Sequence, residues 1–187
     1  MVYKRPKNNK SKTTKFLIIC EGEKTEIQYF ENFKKYEEVN KLSLIVNCAK
    51  HPDPNNILQT CINKKTENEY EESWIVFDRD ERRAEVIDIV KKDANQNNIR
   101  VAYSNPCFEL WYYLHFCLIQ SEIDCKTLCE KLKKYFGEEY QKNKNYFDKL
   151  ENKTQIAINN AKKLQENSNP YTNIYELVEK LIPKENL

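Results

Sequence analysis

FLIICEGEKTEIQYF, residues 16–30, joins an apolar run to an acidic turn and then to a helical pattern. The run 16–20 has the composition of a buried strand, and it ends abruptly at Glu21 and Gly22. Apolar residues then recur at helical spacing, at Ile27, Phe30 and Phe33. Since the chain holds only two glycines, the glycine directly behind the strand indicates a backbone that turns sharply there. The stretch therefore predicts a strand, a tight turn and a helix.

Three more short runs, rich in β-branched and aromatic residues, predict further strands. Together with the first run, they cover residues 15–20, 42–48, 74–77 and 100–103. Segments long enough for helices lie between them. Thr25 and Gln28 give the first segment a capping-box spacing, and Asp53 with Pro54 opens the second. The order β-α-β-α-β-α-β is typical of an α/β fold, here with a parallel four-stranded sheet flanked by helices.

The third crossover helix is predicted over residues 82–97, with Val86, Ile89 and Val90 facing inward. NPCFELWYYLHF, residues 105–116, predicts a helix behind an Asn-Pro turn, and further helices are predicted over 126–136, 154–166 and 173–181. We interpret residues 1–14 as a basic flexible tail and 15–187 as one domain. Its α/β core covers about 15–120 and its helical C-terminal elaboration about 121–187.

Composition and charge narrow the classes of function. The 31 basic residues nearly balance the 29 acidic ones, so the net charge of +2 does not by itself indicate a nucleic-acid binder. No apolar stretch reaches the roughly 18 residues of a membrane span, and no signal-peptide core follows the N-terminus, which favours a cytoplasmic protein without membrane partners. The seven cysteines include no CxxC pair, so we expect reduced thiols rather than a zinc site.

Acidic residues follow two of the predicted strands. Glu21 follows the first strand, and Asp78 and Asp80 follow the third. The carboxyl ends of parallel strands share one edge, where ligands bind, and Asp78 and Asp80 point to the same side if the backbone stays extended. Such carboxylates repel one another unless a cation lies between them, and oxygen ligands suit Mg²⁺ or Mn²⁺. The plain alternative is a set of solvated loop acids, which is our interpretation of Glu23 and Glu81.

Four motifs carry a resemblance to a known family. The order strand–Glu-Gly and strand–Asp-x-Asp is similar to the Toprim fold of topoisomerases, bacterial primases and OLD-family nucleases. More closely, the chain resembles the RloB-like family in CEGEKTEIQYF, VFDRD, SNPCFELWYYLHF and NPYTNIYELVEKL, from residue 15 to residue 181. The resemblance implies a Toprim-like Rossmannoid core and a role in bacterial anti-phage defence, linked to abortive infection or restriction. It also implies an AAA-type ATPase partner encoded nearby.

The same resemblance implies a Mg²⁺-dependent nuclease that hydrolyses phosphodiester bonds of DNA or RNA. It assigns catalysis and metal binding to Glu21, Asp78 and Asp80. Glu26 resembles a second metal-binding glutamate, but it lies five residues after Glu21 where the OLD pattern has four. Glu26 therefore fits a metal shell and a helix-dipole carboxylate equally well, and so does Glu109, which lies in the first turn of the helix that follows the fourth strand at the same edge.

The basic residues near these motifs have two possible roles, and the aromatic residues suggest a further contact with nucleic acid. Contact with substrate phosphates and simple balance of local charge are both compatible with Lys24, Arg79 and Arg82. In the helix after the Asn-Pro turn, either Tyr112 or Tyr113 is expected to be exposed and able to stack on a base.

His115 is interpreted as a packed, hydrogen-bonded residue, and His51 is placed in a loop near the edge where ligands bind. The alternative to a nuclease is a non-catalytic nucleic-acid-binding or regulatory module of the ATPase partner. An aspartyl-phosphatase mechanism fits poorly, because the first strand ends in Glu21 rather than in an aspartate. The sequence leaves a homo-oligomer open.

Overall fold

The computed structural model describes residues 14–36, 42–49, 53–80 and 82–182. Its strands are β1 (Thr14–Cys20), β2 (Leu42–Cys48), β3 (Glu72–Asp78), β4 (Arg100–Asn105) and β5 (Tyr171–Thr172). Its helices are α1 (Thr25–Tyr36), α2 (Pro54–Glu67), α3 (Ala84–Gln96), α4 (Glu109–Leu114), α5 (Cys125–Phe136), α6 (Phe147–Leu150), α7 (Thr154–Ala161) and α8 (Ile174–Leu181). A 3-10 turn, Glu151–Lys153, joins α6 to α7.

The strands form one sheet in the order β2-β1-β3-β4-β5. The first four are parallel, as predicted, and β5 runs antiparallel beside β4. The predicted α/β architecture is confirmed, but the predicted count of four strands is wrong. The fifth strand has only two residues, which is too short to leave a periodic pattern in the sequence.

Alternate residues of the parallel strands fill two separate cores. Phe16 and Ile18 of β1 pack on one face with residues of α1, α4, α5, α7 and α8. Leu17 and Ile19 pack on the other face with residues of α2 and α3. This period-2 alternation buries residues 16–20 of β1 on both faces, so the first charged residue after the strand, Glu21, lies where the chain leaves the core.

Several local predictions need correction. The interior face of α3 consists of Ile87, Val90 and Ala94, whereas Val86 and Ile89 are exposed. Both faces have helical spacing, and only the tertiary position of α3 decides between them. Tyr112 and Tyr113 are both buried, because α4 lies between the sheet and the C-terminal helices. The seventh helix ends at Ala161 instead of residue 166.

Of the two helix caps predicted from the sequence, one is present and one is not. Asp53 caps α2 by accepting the backbone N–H of Asn55 at 3.0 Å, as predicted. Thr25 is instead the first residue of α1, and its hydroxyl pairs with the hydroxyl of Tyr140 at 3.0 Å. Asn173 makes no capping bond to α8, because its side chain serves the sheet.

A disulfide joins Cys107, in the loop before α4, to Cys125, the first residue of α5. The two Cα atoms lie 6.0 Å apart, although the residues are 18 positions apart in sequence. The expectation of reduced thiols is therefore wrong for this pair, which only the fold brings together.

Among the described residues, no helix is long and apolar enough to span a bilayer.

The side chain of Asn173 completes the edge of β4 where β5 stops. Its Oδ1 accepts the N–H of Tyr103 at 2.8 Å, and its Nδ2 donates to the carbonyl of Val101 at 2.9 Å. Asn173 is itself buried, so these groups have little access to water. The asparagine thus replaces two ladder bonds and anchors the C-terminal helix to the sheet.

Asn173→Ala is expected to lower the free energy of unfolding by about 2–4 kcal/mol, because two backbone groups lose their partners in a buried place. Urea denaturation of the two proteins measures the difference. Asn159→Ala, at an exposed position of α7, is the matched control and should stay within about 0.5 kcal/mol of the wild type. Equal midpoints for both variants would contradict the anchoring role.

Candidate metal-binding acid cleft

Six carboxylates meet at the carboxyl edge of the sheet, around a cleft of about 370 Å³. We call this feature the acid cleft, and its acids are Glu21, Glu23, Glu26, Asp78, Asp80 and Glu109. They come from the ends of β1 and β3, from the turn between β1 and α1, and from the first turns of α1 and α4. All five predicted metal ligands therefore line one cleft, together with the predicted substrate-binding Lys24.

Glu21 ties the ends of two neighbouring strands together. Its Oε2 accepts the backbone N–H of Asp78 at 2.8 Å, and its Oε1 pairs with Nη2 of Arg82 at 2.6 Å. Nη1 of Arg82 also donates to the carbonyl of Asp78. Both carboxylate oxygens of Glu21 thus already have partners, so Glu21 holds the geometry of the cleft as well as contributing charge to it.

Gly22 is required by the close approach of Glu26. A Cβ atom placed on Gly22 would lie 2.8 Å from Cδ of Glu26 and still closer to its Oε2, so no other residue fits without a shift. The backbone N–H of Gly22 donates to Oε1 of Glu26 at 3.2 Å. The sequence predicted a sharp turn at this glycine, and the structure gives a steric reason for it. The missing side chain makes room for a buried carboxylate.

Asp78 supplies the oxygen atom best placed for a cation. Its Oδ1 is buried and has no hydrogen-bond partner among the described residues. Burial raises the pKa of Asp78 well above its usual range, and the nearby charges of Glu26 and Glu109 raise it further. A buried carboxylate in this position needs either a proton or a positive ion.

Asp80 lies at the rim of the acid cleft. The strand ends at Asp78, and Asp80 has a φ of 47°, so the backbone between the two aspartates is not extended as the spacing argument assumed. The N–H of Asp80 donates to the carbonyl of Pro106 at 3.1 Å, which fixes this turn. Its side chain is 53% exposed. The two aspartates still line one cleft, but from different depths.

Glu109 brings two residues that the sequence did not predict into the acid cleft. Its Oε1 accepts the hydroxyl of Tyr140 at 2.8 Å and lies 4.0 Å from Nζ of Lys142. The negative charge of Glu109 raises the pKa of Lys142, and the charges of Asp78 and Glu26 add to this effect, while burial of the ammonium group opposes it. Both new residues belong to GEEYQKNKNYFDKLENK, a polar segment with no local signal that it folds back over the sheet edge.

The cations predicted to contact substrate have different surroundings. Lys24 is exposed and lines the acid cleft. Arg82 is bound to Glu21, whereas Arg79 donates to the carbonyls of Arg82 and Asn167, at 3.1 and 3.3 Å. The substrate-binding role of Lys24, Arg79 and Arg82 stays a prediction, and Lys24 has the most open position of the three.

The donor set of the acid cleft fits a hard divalent cation. Its protein ligands would be carboxylate oxygens, which Mg²⁺ and Mn²⁺ prefer. Among the described residues, the acid cleft does not bring three ligand atoms within 4.8 Å of one another. This spacing suits Mg²⁺, which takes one or two carboxylates and keeps several waters.

Histidine contributes no described group to the acid cleft. His115 is fully buried, and its Nδ1 is 2.8 Å from the carbonyl of Trp111, which confirms the packed, hydrogen-bonded reading. Burial lowers the pKa of His115 to about 4. His51, Glu81 and residues 1–13 of the predicted tail lie outside the described residues.

In comparisons with known proteins, a family model described as RloB-like protein matches residues 16–181 of the chain. No curated protein matches the chain. Among solved structures, the chain is similar to an ABC transporter solute binding protein from Clostridium phytofermentas with bound L-rhamnose, at 15% identity and a TM-score of 0.36. That match covers 82% of this chain and 50% of the transporter protein, so the chain spans half of the latter's length.

Gly22→Ala is expected to lower the free energy of unfolding by about 1–3 kcal/mol, because the new methyl group overlaps the carboxylate of Glu26. In a Glu26→Ala background the same substitution should cost close to nothing. A double-mutant cycle by urea denaturation measures the coupling between the two sites. Additive costs would show that the clash is not the reason for the glycine.

The stability of the metal-free protein is expected to fall as the pH rises from about 4.5 to about 7. Burial, aided by the charge of Glu109, raises the pKa of Glu26 from 4.5 to about 7, so the folded state binds the proton more tightly. The stabilising contribution is complete below the unfolded pKa and is lost as the pH rises through the folded pKa. Asp78 shifts in the same direction.

Glu26→Gln removes this ionisation, so its stability should vary less with pH and exceed the wild type by at most about 3 kcal/mol at pH 8. Urea denaturation in EDTA between pH 5 and pH 8 compares the two proteins. The exposed Glu85→Gln is the matched control, and its curve should run parallel to the wild type. A Glu26→Gln curve parallel to the wild type as well would contradict the raised pKa.

Proposed function

The chain belongs to the RloB-like family, as its motifs predicted, and we propose that it is a Mg²⁺-dependent nuclease of the Toprim type. Its substrate would be a phosphodiester bond of DNA or RNA, and its setting bacterial anti-phage defence. The observation that carries the proposal is the buried Oδ1 of Asp78, which has no partner among the described residues and lies amid five further carboxylates. A phosphate, itself negative, binds in such a place only through a cation.

The residues that would hold the cation are those whose oxygens face the acid cleft. Oδ1 of Asp78 is the central ligand, a second carboxylate comes from the buried Glu26 or Glu109 or from Asp80 at the rim, and the other acids would act through waters held by the ion. Burial and neighbouring carboxylates raise the pKa values of Glu26 and Asp78, because both effects disfavour the negative charge. A divalent ion in the cleft would offset these effects and favour the ionised forms, which supports this assignment. A bound Mg²⁺ would supply charge neutralisation at the phosphate and a water of lowered pKa.

The remaining residues of the acid cleft position these ligands and meet the substrate. Glu21 and Arg82 hold the end of β3 against β1, which fixes the backbone of Asp78. Tyr140 fixes the carboxylate of Glu109 by donating a hydrogen bond to it. Lys24, exposed at the cleft, is placed to contact a substrate phosphate as a point charge.

Partners follow from the family resemblance and stay predictions. We propose an AAA-type ATPase as the functional partner, with nucleic acid as the ligand of the acid cleft. The exposed position of Lys24 and the openness of the rim at Asp80 are compatible with a polymer substrate that does not enter an enclosed pocket. The non-catalytic alternative uses the same cleft to bind a cation and nucleic acid without hydrolysis.

Purified protein is expected to cleave at least one member of a panel of single- and double-stranded DNA and RNA with Mg²⁺ or Mn²⁺, and none with EDTA. Asp78→Asn should lower the rate by at least about 100-fold, because it removes the central charge while keeping the side-chain shape. Asp88→Asn, an exposed aspartate of α3, is the matched control and should cleave like the wild type.

Cleavage that Asp78→Asn leaves intact would place the activity elsewhere or assign it to a contaminant. Protein that binds the panel in gel-shift assays, but cleaves nothing with or without the candidate ATPase, would favour the non-catalytic alternative.

A further inference from the structure

Cys107, Glu109 and Cys125 form a second ligand cluster, which the proposed nuclease does not use as a unit. One ligand atom from each, two sulfurs and a carboxylate oxygen, lie within 4.8 Å of one another. Within the described ranges, it is the only group of three or more such side chains that meets this distance. Cys107 and Glu109 are each 1% exposed, and Cys125 is half-buried. The cluster differs from the acid cleft because sulfur supplies two of its three ligands.

Two thiolates and one carboxylate suit a borderline-soft cation of the Zn²⁺ type. Bonds of about 2.3 Å to sulfur and about 2.0–2.2 Å to oxygen place tetrahedral neighbours roughly 3.3–3.8 Å apart. The cluster is therefore already close to the size of such a site. The two sulfurs only need to separate from bonding distance, which reduction of the disulfide allows. Mg²⁺ would not compete here, because it prefers oxygen ligands.

The surroundings of Cys125 give access to this cluster. Cys125 lines an open cleft of about 1160 Å³, together with Asn105, Pro106 and Ile123. A reductant can approach its sulfur from that cleft, whereas Cys107 is enclosed. The same opening leaves room for a water as fourth ligand, the arrangement seen when a zinc site has three protein ligands.

We propose that Cys107 and Cys125 alternate between a disulfide and a reduced pair that binds Zn²⁺ or a similar thiophilic divalent cation together with Glu109. The reductant is a dithiol. One of its thiolates attacks the sulfur of Cys125, the disulfide bond breaks, and Cys107 leaves as a thiolate. The second thiol of the reductant then displaces Cys125 and forms the reductant's own disulfide, so two electrons pass to the protein. Metal binding releases any protons that the two thiols carry.

Glu109 links this cluster to the acid cleft. It lies in both, and a cation held by the two thiolates would draw its carboxylate away from Asp78 and Glu26. The redox state of the cysteines would therefore control cation binding at the acid cleft, a consequence that rests on the proposed function. The thiol-based site itself stands on the geometry of its three ligands alone.

Co²⁺ titration of the fully reduced chain tests the site, because a cobalt–thiolate bond gives a charge-transfer absorption that oxygen ligands do not. We expect one equivalent to produce this band in the wild type. Cys107→Ser and Cys125→Ser should each reduce its intensity by about half or more, since one of two thiolates is lost. Glu109→Gln should weaken binding by at least about tenfold, the scale found even for groups that only support a ligand.

Cys129→Ser is the matched control, because Cys129 is a free, half-buried cysteine on α5, one turn after Cys125. It should keep the full band. In a second measurement on the wild type, a thiol oxidant should produce the linked peptide of Cys107 and Cys125 by mass spectrometry, and Zn²⁺ should protect against this linkage. The second measurement does not depend on whether a cysteine variant folds.

Absence of a thiolate band in the reduced wild type would overturn the proposal, as would a band lost equally in Cys129→Ser. Formation of the linked peptide at the same rate with and without Zn²⁺ would also overturn it. These readouts involve no nucleic acid, so a failed nuclease assay leaves them untouched. Conversely, if the protein cleaves nucleic acid but shows no thiolate band, the redox site is refuted and the proposed nuclease function stands.

Discussion

Repulsion among carboxylates at one edge of the sheet is the constraint around which the site is arranged. Glu26, Glu109 and the Oδ1 atom of Asp78 are buried, so each negative charge raises the free-energy cost of ionising the next acid. Arg82 on Glu21, Lys142 near Glu109 and the exposed Lys24 offset part of this negative charge. These three cations do not balance six acids, and the buried oxygen of Asp78 has no partner among the described residues. A bound cation would offset this excess of negative charge.

The fold produces this crowding through its topology. Parallel strands deliver their carboxyl ends to one edge, and β1 lies directly beside β3 in the sheet order. The helices α1 and α4 then begin at the same edge and add Glu26 and Glu109 from their first turns. Gly22 permits the closest of these approaches, since any side chain there would collide with Glu26. The close approach of the Glu26 carboxylate thus explains why position 22 is a glycine.

The sequence predicted the parts of the structure that depend on local pattern. Four strands, the Asp53 cap and the edge that gathers Glu21 and Asp78 all follow from periodicity and strand order. The face of α3 was mispredicted, because two apolar stripes of equal spacing compete and only packing selects one.

Long-range contacts account for what the sequence did not predict. Tyr140 and Lys142 reach the acid cleft from a polar segment more than 30 residues beyond α4's first residue, Glu109. The Cys107–Cys125 disulfide and the two-residue strand β5 depend in the same way on how the C-terminal half folds back over the sheet. The error at Asp80 has a local cause instead. The prediction that Asp78 and Asp80 point to the same side required an extended backbone, but the strand ends at Asp78 and the chain turns at Asp80. Recognition of motifs therefore found the acids, and only the fold showed which of them are buried.

Anomalous diffraction from crystals grown with Mn²⁺ would locate the ion without requiring any activity. We expect a strong peak in the acid cleft, within coordinating distance of Oδ1 of Asp78, that is absent in Asp78→Asn crystals. An acid cleft without a peak at saturating Mn²⁺, or with Nζ of Lys142 bound to Asp78 in place of the ion, would contradict it.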